Sequence, residues 1–320
     1  MKKILVSGAS GIVGYGILRS LKNSGKELKL IGTTIFDDSV AQGFCDIFVK
    51  APLTNDKGYI DWLVKTISDY DVDIIIPGID ADMYMWAKNI DKLEKGKVKV
   101  LINKPNLISL CEDKWLFYEY LIKKNSEYVI ATSLSNEFEE LVKEFGLPLL
   151  LKPRRGFGSK GIVIINDKTS FLKYKELIGP ELMVQPLIGN EDEEYTTSAF
   201  CDGEGGFFAY MTLKRKLSKD GFTDKAEVAE PKGIETVIKN LCQIFKPLGP
   251  TNFQFRTQNG ILKLLEINPR ISSSTSIRGA FGYNESNMAI EYYLENKKPK
   301  QPLIKQGRAV RYTEDYIFYK

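Results

Sequence analysis

The sequence predicts an α/β domain followed by two α+β domains, on three observations. Short apolar runs alternate with helical periodicity up to residue 104, then short strands surround a glycine-rich hairpin, and after Gly189 long strands are separated by single helices. Residues 3–7 read as a buried strand that turns through the glycine-rich segment Gly8 to Gly16 into a helix ending near Asn23. Leu28 to Thr34 reads as a strand, Tyr59 to Tyr70 as a helix, Val72 to Pro77 as a strand, Asp82 to Leu93 as a helix and Val98 to Ile102 as a strand. Strand and helix alternation of this kind implies a Rossmann-like parallel sheet over 1–104. Lys104-Pro105-Asn106 punctuates its end, and Leu107 to Lys124 reads as a helix within a linker spanning 105–126. Residues 127–188 read as a small α+β lid, with helices at Asn136 to Phe145 and Lys168 to Leu177 and a strand at Leu182 to Gln185. Residues 189–320 read as a larger antiparallel α+β domain, with strands at Glu194 to Cys201 and Gly206 to Leu213, helices at Gly233 to Phe245 and Glu285 to Leu294, and a hairpin about Asn259-Gly260.

Composition excludes several classes of function. A net charge of +4 over 320 residues, with acids and bases interspersed, gives no basic stripe for a nucleic-acid partner. The short N-terminal apolar run turns into a glycine-rich loop and no apolar run approaches the length of a membrane-spanning helix, so a cytoplasmic protein is expected. The four cysteines are scattered without a Cys-x-x-Cys pair, which fits reduced thiols. There is no histidine, which removes imidazole as a base and histidine-ligated zinc. Any chemistry runs on carboxylates, Lys, Arg, amides, backbone and metal.

Three segments carry such chemistry. In Thr251 to Arg270, Glu266 and Asn268 stand two apart on an apolar strand and so share a face, with Arg270 at its end. A carboxylate beside a neutral oxygen and a guanidinium suits Mg²⁺ shared with a triphosphate, Mn²⁺ being an acceptable substitute. In Leu149 to Ile165, Lys152 precedes a loop with Gly156, Gly158, Ser159 and Gly161, whose backbone N–H groups can approach phosphates. It is not a Walker A loop, because the Gly-x-x-x-x-Gly-Lys-Ser/Thr order is absent and a strand follows. Finally, Gln185-Pro186-Leu187-Ile188 can offer main-chain groups to an adenine edge, and a carboxylate in the run Glu191 to Glu194 can meet ribose hydroxyls.

The order of these parts resembles the ATP-grasp superfamily over nearly the whole chain, so the expected fold is a Rossmann-like domain followed by an ATP-grasp lid and C-terminal subdomain. Asn252-Phe-Gln-Phe and Glu266-Ile-Asn-Pro-Arg-Ile-Ser-Ser-Ser-Thr275 are most similar to the ATP-binding halves of carbamoyl-phosphate synthase large subunits. The resemblance implies metal ligands at Gln254, Glu266 and Asn268, phosphate contacts from Lys114 and Lys152, adenine contacts from Gln185 to Ile188, and a ribose contact from Glu194, with Glu193 or Glu191 as substitutes. It implies a carboxylate–amine ligase: the γ-phosphoryl passes to a carboxylate beside Lys152, Lys114 and Arg270, and an amine or other nucleophile displaces phosphate. Substrate contacts are expected from Arg215, Lys225 and Lys214, and from Ser272 to Ser274 with Arg278. The partners are small molecules, and a homodimer is compatible with the sequence.

A shared metal site also constrains the hairpin. A two-residue Asn259-Gly260 loop pairs Gln254 with Leu265 and turns it away from Glu266, so a three-residue loop Gln258-Asn259-Gly260, or a bulge of the same parity, is expected. Two readings compete. Ser7 to Gly14 resembles the dinucleotide loop of extended short-chain dehydrogenases, with Asp37 or Asp38 for a ribose and Tyr120-x-x-x-Lys124, as in an NAD(P)-dependent oxidoreductase or epimerase. The other is a catalytically silent ATP-binding protein. In the ligase reading the first domain closes one side of the cleft and reaches substrate through Asp80 or Asp82.

Overall fold

A computed structural model describes residues 1–318 other than 157 and 159, together with every side chain in that range except that of Glu191. In the first domain, β1 (Lys2–Val6), α1 (Ile12–Lys22), β2 (Leu28–Thr34), β3 (Ile47–Lys50), α2 (Tyr59–Tyr70), β4 (Ile74–Ile76), α3 (Asp80–Lys88), α4 (Ile90–Leu93) and β5 (Lys99–Val100) form a parallel sheet in the order β3-β2-β1-β4-β5 with helices around it. The central strand segments Ile4–Val6, Leu30–Ile31 and Ile74–Ile76 are apolar and buried because both faces are covered, which is the burial a parallel sheet requires. The helix expected over 82–93 starts at Asp80 and breaks at Asn89, whose side chain donates to the Met85 carbonyl and whose backbone leaves the helical region.

The linker is two helices, α5 (Pro105–Glu112) and α6 (Lys114–Lys123), rather than one. Asp113 is extended and caps α6 through the Trp115 N–H at 2.9 Å, a stop that the uninterrupted apolar periodicity conceals. The lid contains α7 (Phe138–Phe145), β6 (Leu149–Pro153), β7 (Val163–Ile165), α8 (Lys168–Leu172) and β8 (Leu182–Pro186), with a sheet ordered β7-β6-β8. Its small core of Leu141, Leu149, Leu151, Ile165, Phe171 and Val184 is separate from the rest.

The third domain carries β9 (Glu194–Asp202), β10 (Phe207–Leu217), β11 (Thr223–Val228), α9 (Ile234–Phe245), β12 (Leu248–Gln258), β13 (Ile261–Asn268), α10 (Thr275–Ala280), α11 (Glu285–Glu295) and β14 (Arg308–Val310). Its antiparallel sheet runs β13-β12-β9-β10-β11-β14. On one face α9, α5 and α6 bury Ala199, Cys201, Phe253 and Phe255. The opposite face packs α10 and α11, and through them α1 of the first domain, so Ile17, Leu18 and Leu21 share a core with Ile277, Tyr283 and Ile290. Apolar packing therefore continues from the first domain into the third, and it fixes the first domain over the C-terminal end of β13. Among the described residues no helix is long and apolar enough to cross a membrane.

Candidate active site

The geometry begins at the β12–β13 hairpin. Asn259 and Gly260 both have positive φ (52° and 76°), and Gln258 pairs with Ile261, so the loop has two residues rather than the expected three. Two successive positive φ values match the right-handed strand twist, which is why Asn-Gly prevails over the longer loop. A bulge then supplies the parity that the loop does not. Phe255 pairs with Leu264 but Gln254 pairs with Glu266, leaving Leu265 extra, and Asn252 pairs with Asn268. Gln254, Glu266 and Asn268 thereby come to one face.

Lys152 reaches this face from β6. It is only 8% exposed, and its Nζ donates to the carbonyl of the bulged Leu265 at 3.3 Å. Burial pushes its ammonium down to about 8 against the opposing pull of Glu266. Burial disfavours the Glu266 carboxylate too, yet Lys152, Lys114 and the Asn268 amide (3.2 Å) outweigh it and hold the carboxyl below its ordinary range. The Lys114 Nζ donates to the Gly156 carbonyl at 2.7 Å, tying the glycine flap to α6. Asp113 anchors the flap strand through Arg154 at 3.0 Å and Arg155 at 2.7 Å. From the first domain, Asp80 takes Arg270 in a bidentate pair, with Nε at 2.6 Å and Nη2 at 2.9 Å. A cavity of 30 Å³ between these elements is lined by Asp80, Tyr84, Cys111, Lys114, Glu266 and Asn268. Burial pushes the Cys111 thiol up, so it is a neutral lining group and not a nucleophile.

One ionised carboxylate flanked by two carboxamides and ringed by Lys and Arg is oxygen chemistry suited to Mg²⁺ and a polyanion. Among the described residues no group of three or more His, Cys, Asp or Glu gathers to cage a metal, so a metal here would take part of its shell from phosphates. The family model described as "ATP-grasp in the biosynthetic pathway with Ter operon" matches residues 179–316. The chain is 26% identical over 325 residues to the carbamoyl phosphate synthase large chain of Methanothrix thermoacetophila, covering 88% of this chain and 29% of that one. It is 26% identical over 276 residues to the formate-dependent phosphoribosylglycinamide formyltransferase of Prochlorococcus marinus, covering 75% of this chain and 68% of the relative. Among solved structures, N5-carboxyaminoimidazole synthetase of Staphylococcus aureus complexed with ADP superposes with a TM-score of 0.74 at 18% identity, covering 95% of this chain and 80% of that one. Biotin carboxylase of Campylobacter jejuni gives 0.73 at 16% identity, covering 96% and 74%. Residues 179–316 thus match an ATP-grasp family model, and the chain shares the fold of these solved structures. It spans 29% of the length of the carbamoyl phosphate synthase chain from Methanothrix.

Other expected residues are placed differently. The Gln185 amide donates to Thr132 at 2.9 Å inside the lid, so its side chain is engaged there. Glu194 is buried, with Oε1 accepting from Arg215 Nε and Nη2 (3.2 and 2.9 Å) and Oε2 from Arg256 Nε and Nη2 (3.1 and 3.0 Å). Its acceptor positions are filled by guanidinium, where a ribose acceptor was expected. Glu193 accepts from Thr257. Arg215 is an internal anchor rather than a substrate contact, since it also donates to the Gln254 amide oxygen at 2.6 Å. Lys225 is exposed and pairs across the ladder with Lys216, one position out of phase with the Arg215–Ala226 pair, so it lies on the opposite sheet face. Lys214 lies on that face too, 3.8 Å from Glu227.

Arg278 and Glu285 are both fully buried and paired at 3.1 Å, and Arg278 also donates to Ser272 and Asn252 at 2.8 and 2.7 Å. Arg278 therefore braces β12 and the Ser272–Ser274 turn on the sheet face that also carries Gln254 and Glu266. Asp82 accepts from Thr54 and Tyr59 in the first-domain core, away from Asp80. Ser159 lies outside the described residues. The glycine loop after β1 has a packing role that the dinucleotide reading did not include. A β-carbon on Gly78 would sit 2.1 Å from the Ser7 carbonyl and 2.8 Å from the Gly14 Cα. Tyr120 donates to the Ile244 carbonyl at 3.2 Å, in the core around α9 rather than beside that loop. A pocket of 670 Å³ lies at the far side of the sheet between Phe207, Tyr210, Glu230 and Lys239, and none of the phosphate- or metal-suited groups line it. The residue that local reading missed is Arg256. Its signal was available, because it stands two positions beyond Gln254 on the same strand face.

Proposed function

We propose that the chain is an ATP-dependent carboxylate–amine ligase, with Mg-ATP bound between the lid and the Gln254, Glu266 and Asn268 face. The observation that carries this reading is the convergence on Glu266 of Lys152 from the lid, Lys114 from the linker and Arg270 at the end of β13, itself held by Asp80 of the first domain. Parts of the chain far apart in sequence thus meet at a single carboxylate, in a cleft whose groups match a metal–triphosphate. When bound, Mg²⁺ would neutralise phosphate charge and orient the γ-phosphoryl. Glu266, with Asn268 and Gln254, would hold it.

The chain's own residues perform the remaining work. Lys152 and Lys114 offer cations to the triphosphate oxygens, and Lys152 does so from a site dry enough to lower its ammonium, so an arriving phosphate is met without competing water. Arg270, charged and aimed by Asp80, holds the substrate carboxylate in line. A carboxylate oxygen then forms a bond to the γ-phosphorus as the bond to ADP oxygen breaks. The amine nitrogen bonds to the acyl carbon, loses a proton and expels inorganic phosphate, which needs no imidazole because the acyl phosphate is already activated. Thermal unfolding with Mg-ATP, NADH and NADPH tests the nucleotide, since a ligand at 100 times its dissociation constant adds about 2.7 kcal/mol. A shift with Mg-ATP that Lys152→Ala abolishes supports the reading, and ADP release is then screened over carboxylate and amine pairs. A shift with NADPH alone overturns it.

A further inference from the structure

The hinge and β12 meet at one point. Gly189, at φ 59°, lies so close to β12 that a β-carbon there would be 2.6 Å from the Thr257 carbonyl and 3.5 Å from the Arg256 Cβ. Arg256 thus sits under the end of the Gln185–Ile188 segment. It shares the sheet face of Gln254, and two strand residues advance about 6.8 Å. From the metal-suited groups toward the hinge, that displacement spans roughly one ribose. Both donors that Glu194 Oε2 accepts come from this guanidinium, which fixes its plane, while the Arg256 side chain keeps 21% of its surface accessible.

Given that the cleft takes Mg-ATP, as proposed above, we infer that Arg256 is the residue that recognises the base: its guanidinium plane stacks on the purine ring held by the hinge, and Glu194 is the positioning residue that sets that plane. The charge of Arg256 is already balanced by Glu194, so what it offers a further partner is a flat, weakly hydrated surface. A purine presents the complementary π face. The phosphates are served elsewhere, by Lys152 and Lys114. Glu194, whose oxygens are taken by Arg215 and Arg256, acts through Arg256.

Binding calorimetry of wild type, Arg256→Ala, Arg256→Lys and Glu194→Gln with Mg-ATP and with Mg-tripolyphosphate tests this, after unfolding midpoints without ligand show that each variant is folded. Arg256→Ala is expected to bind Mg-ATP about tenfold more weakly, with tripolyphosphate changed by less than about twofold. Arg256→Lys keeps a cation for Glu194 but not the plane, and is expected to lose several-fold for Mg-ATP alone; Glu194→Gln is expected to show the same selective loss. Equal losses for both ligands would make Arg256 a phosphate cation and overturn the inference, as would full Mg-ATP affinity in Arg256→Lys. If wild type binds Mg-ATP and every variant matches it, only this inference falls. If wild type binds no Mg-ATP, the nucleotide reading falls first and this one with it.

Discussion

Lys152 offers a sharp quantitative test, because its burial predicts a proton taken up when the triphosphate binds. The perturbation is Lys152→Met, which keeps the length of the side chain and removes the titrating group. In the free protein the ammonium is pushed down to about 8 by burial, so at pH 8.5 about a quarter of the molecules carry the proton. A triphosphate placed against the amine favours the charged form, and near-complete protonation in the complex means uptake of about 0.75 proton per Mg-ATP. Calorimetric titration at pH 8.5 in two buffers of different ionisation enthalpy reads that number directly. Phosphate groups titrate near pH 6 and contribute nothing there. Zero uptake by wild type that binds Mg-ATP, or equal uptake by Lys152→Met, would refute the reasoning. The same shift fixes a stability trend. Between about pH 8 and the unfolded value of 10.5, the unfolded chain holds a proton that the folded chain has released. Stability of wild type relative to Lys152→Met therefore rises with pH across that window, by up to about 3 kcal/mol, and is lost as pH falls through 8.

Asp80→Asn removes the acceptor pair that orients Arg270 across the domain boundary, and is expected to cost about 1–3 kcal/mol in urea unfolding and to slow Mg-ATP-dependent ADP release; an unchanged midpoint would show that the clamp is not formed. Glu285→Gln leaves the fully buried Arg278 without its anion, and a loss of about 3–5 kcal/mol by denaturant titration is expected, a loss under about 1 kcal/mol counting against the bracing network. Gly78→Ala drives a β-carbon into the Ser7 carbonyl and is expected to destabilise by about 2 kcal/mol or more, whereas NADPH is expected to leave the wild-type melting temperature unmoved. A melting shift with NADPH would return the glycine loop to a binding role.

What was legible in the sequence is what repeats at short range. Period-two spacing alone puts Glu266 and Asn268 on a common face, and strand–helix alternation alone predicts the parallel sheet that the first domain shows. The breaks at Asn89 and Asp113 were illegible to periodicity because the apolar pattern continues through them; each is made by a side chain bonding to nearby backbone, an energy that periodicity does not register. The hairpin shows the same limit from the other side. Asn259-Gly260 predicts its own turn, but whether Gln254 meets Glu266 depends on Leu265 slipping out of the ladder, which is decided by packing on both faces.

The misplaced residues share one cause. Lys225 and Arg215 are cations on adjacent strands and look interchangeable in sequence, yet ladder phase sends one to solvent and the other into the carboxylate network. Phase is inherited from the pairing of β10 with β9, where Leu213 opposite Thr196 puts Arg215 on the face of Glu194. Asp80 and Arg270 lie 190 positions apart, and no local pattern relates them. Their meeting follows from α1 packing on α10 and α11, which sets the first domain's strand ends above β13. A cleft of this kind is therefore specified twice: the strand pattern decides which side chains face inward, and the shared apolar core decides which domain faces them. A core substitution such as Ile277→Ala, which touches none of the charged groups, should loosen the Asp80–Arg270 pair together with the fold, while Lys225→Ala should leave both unchanged.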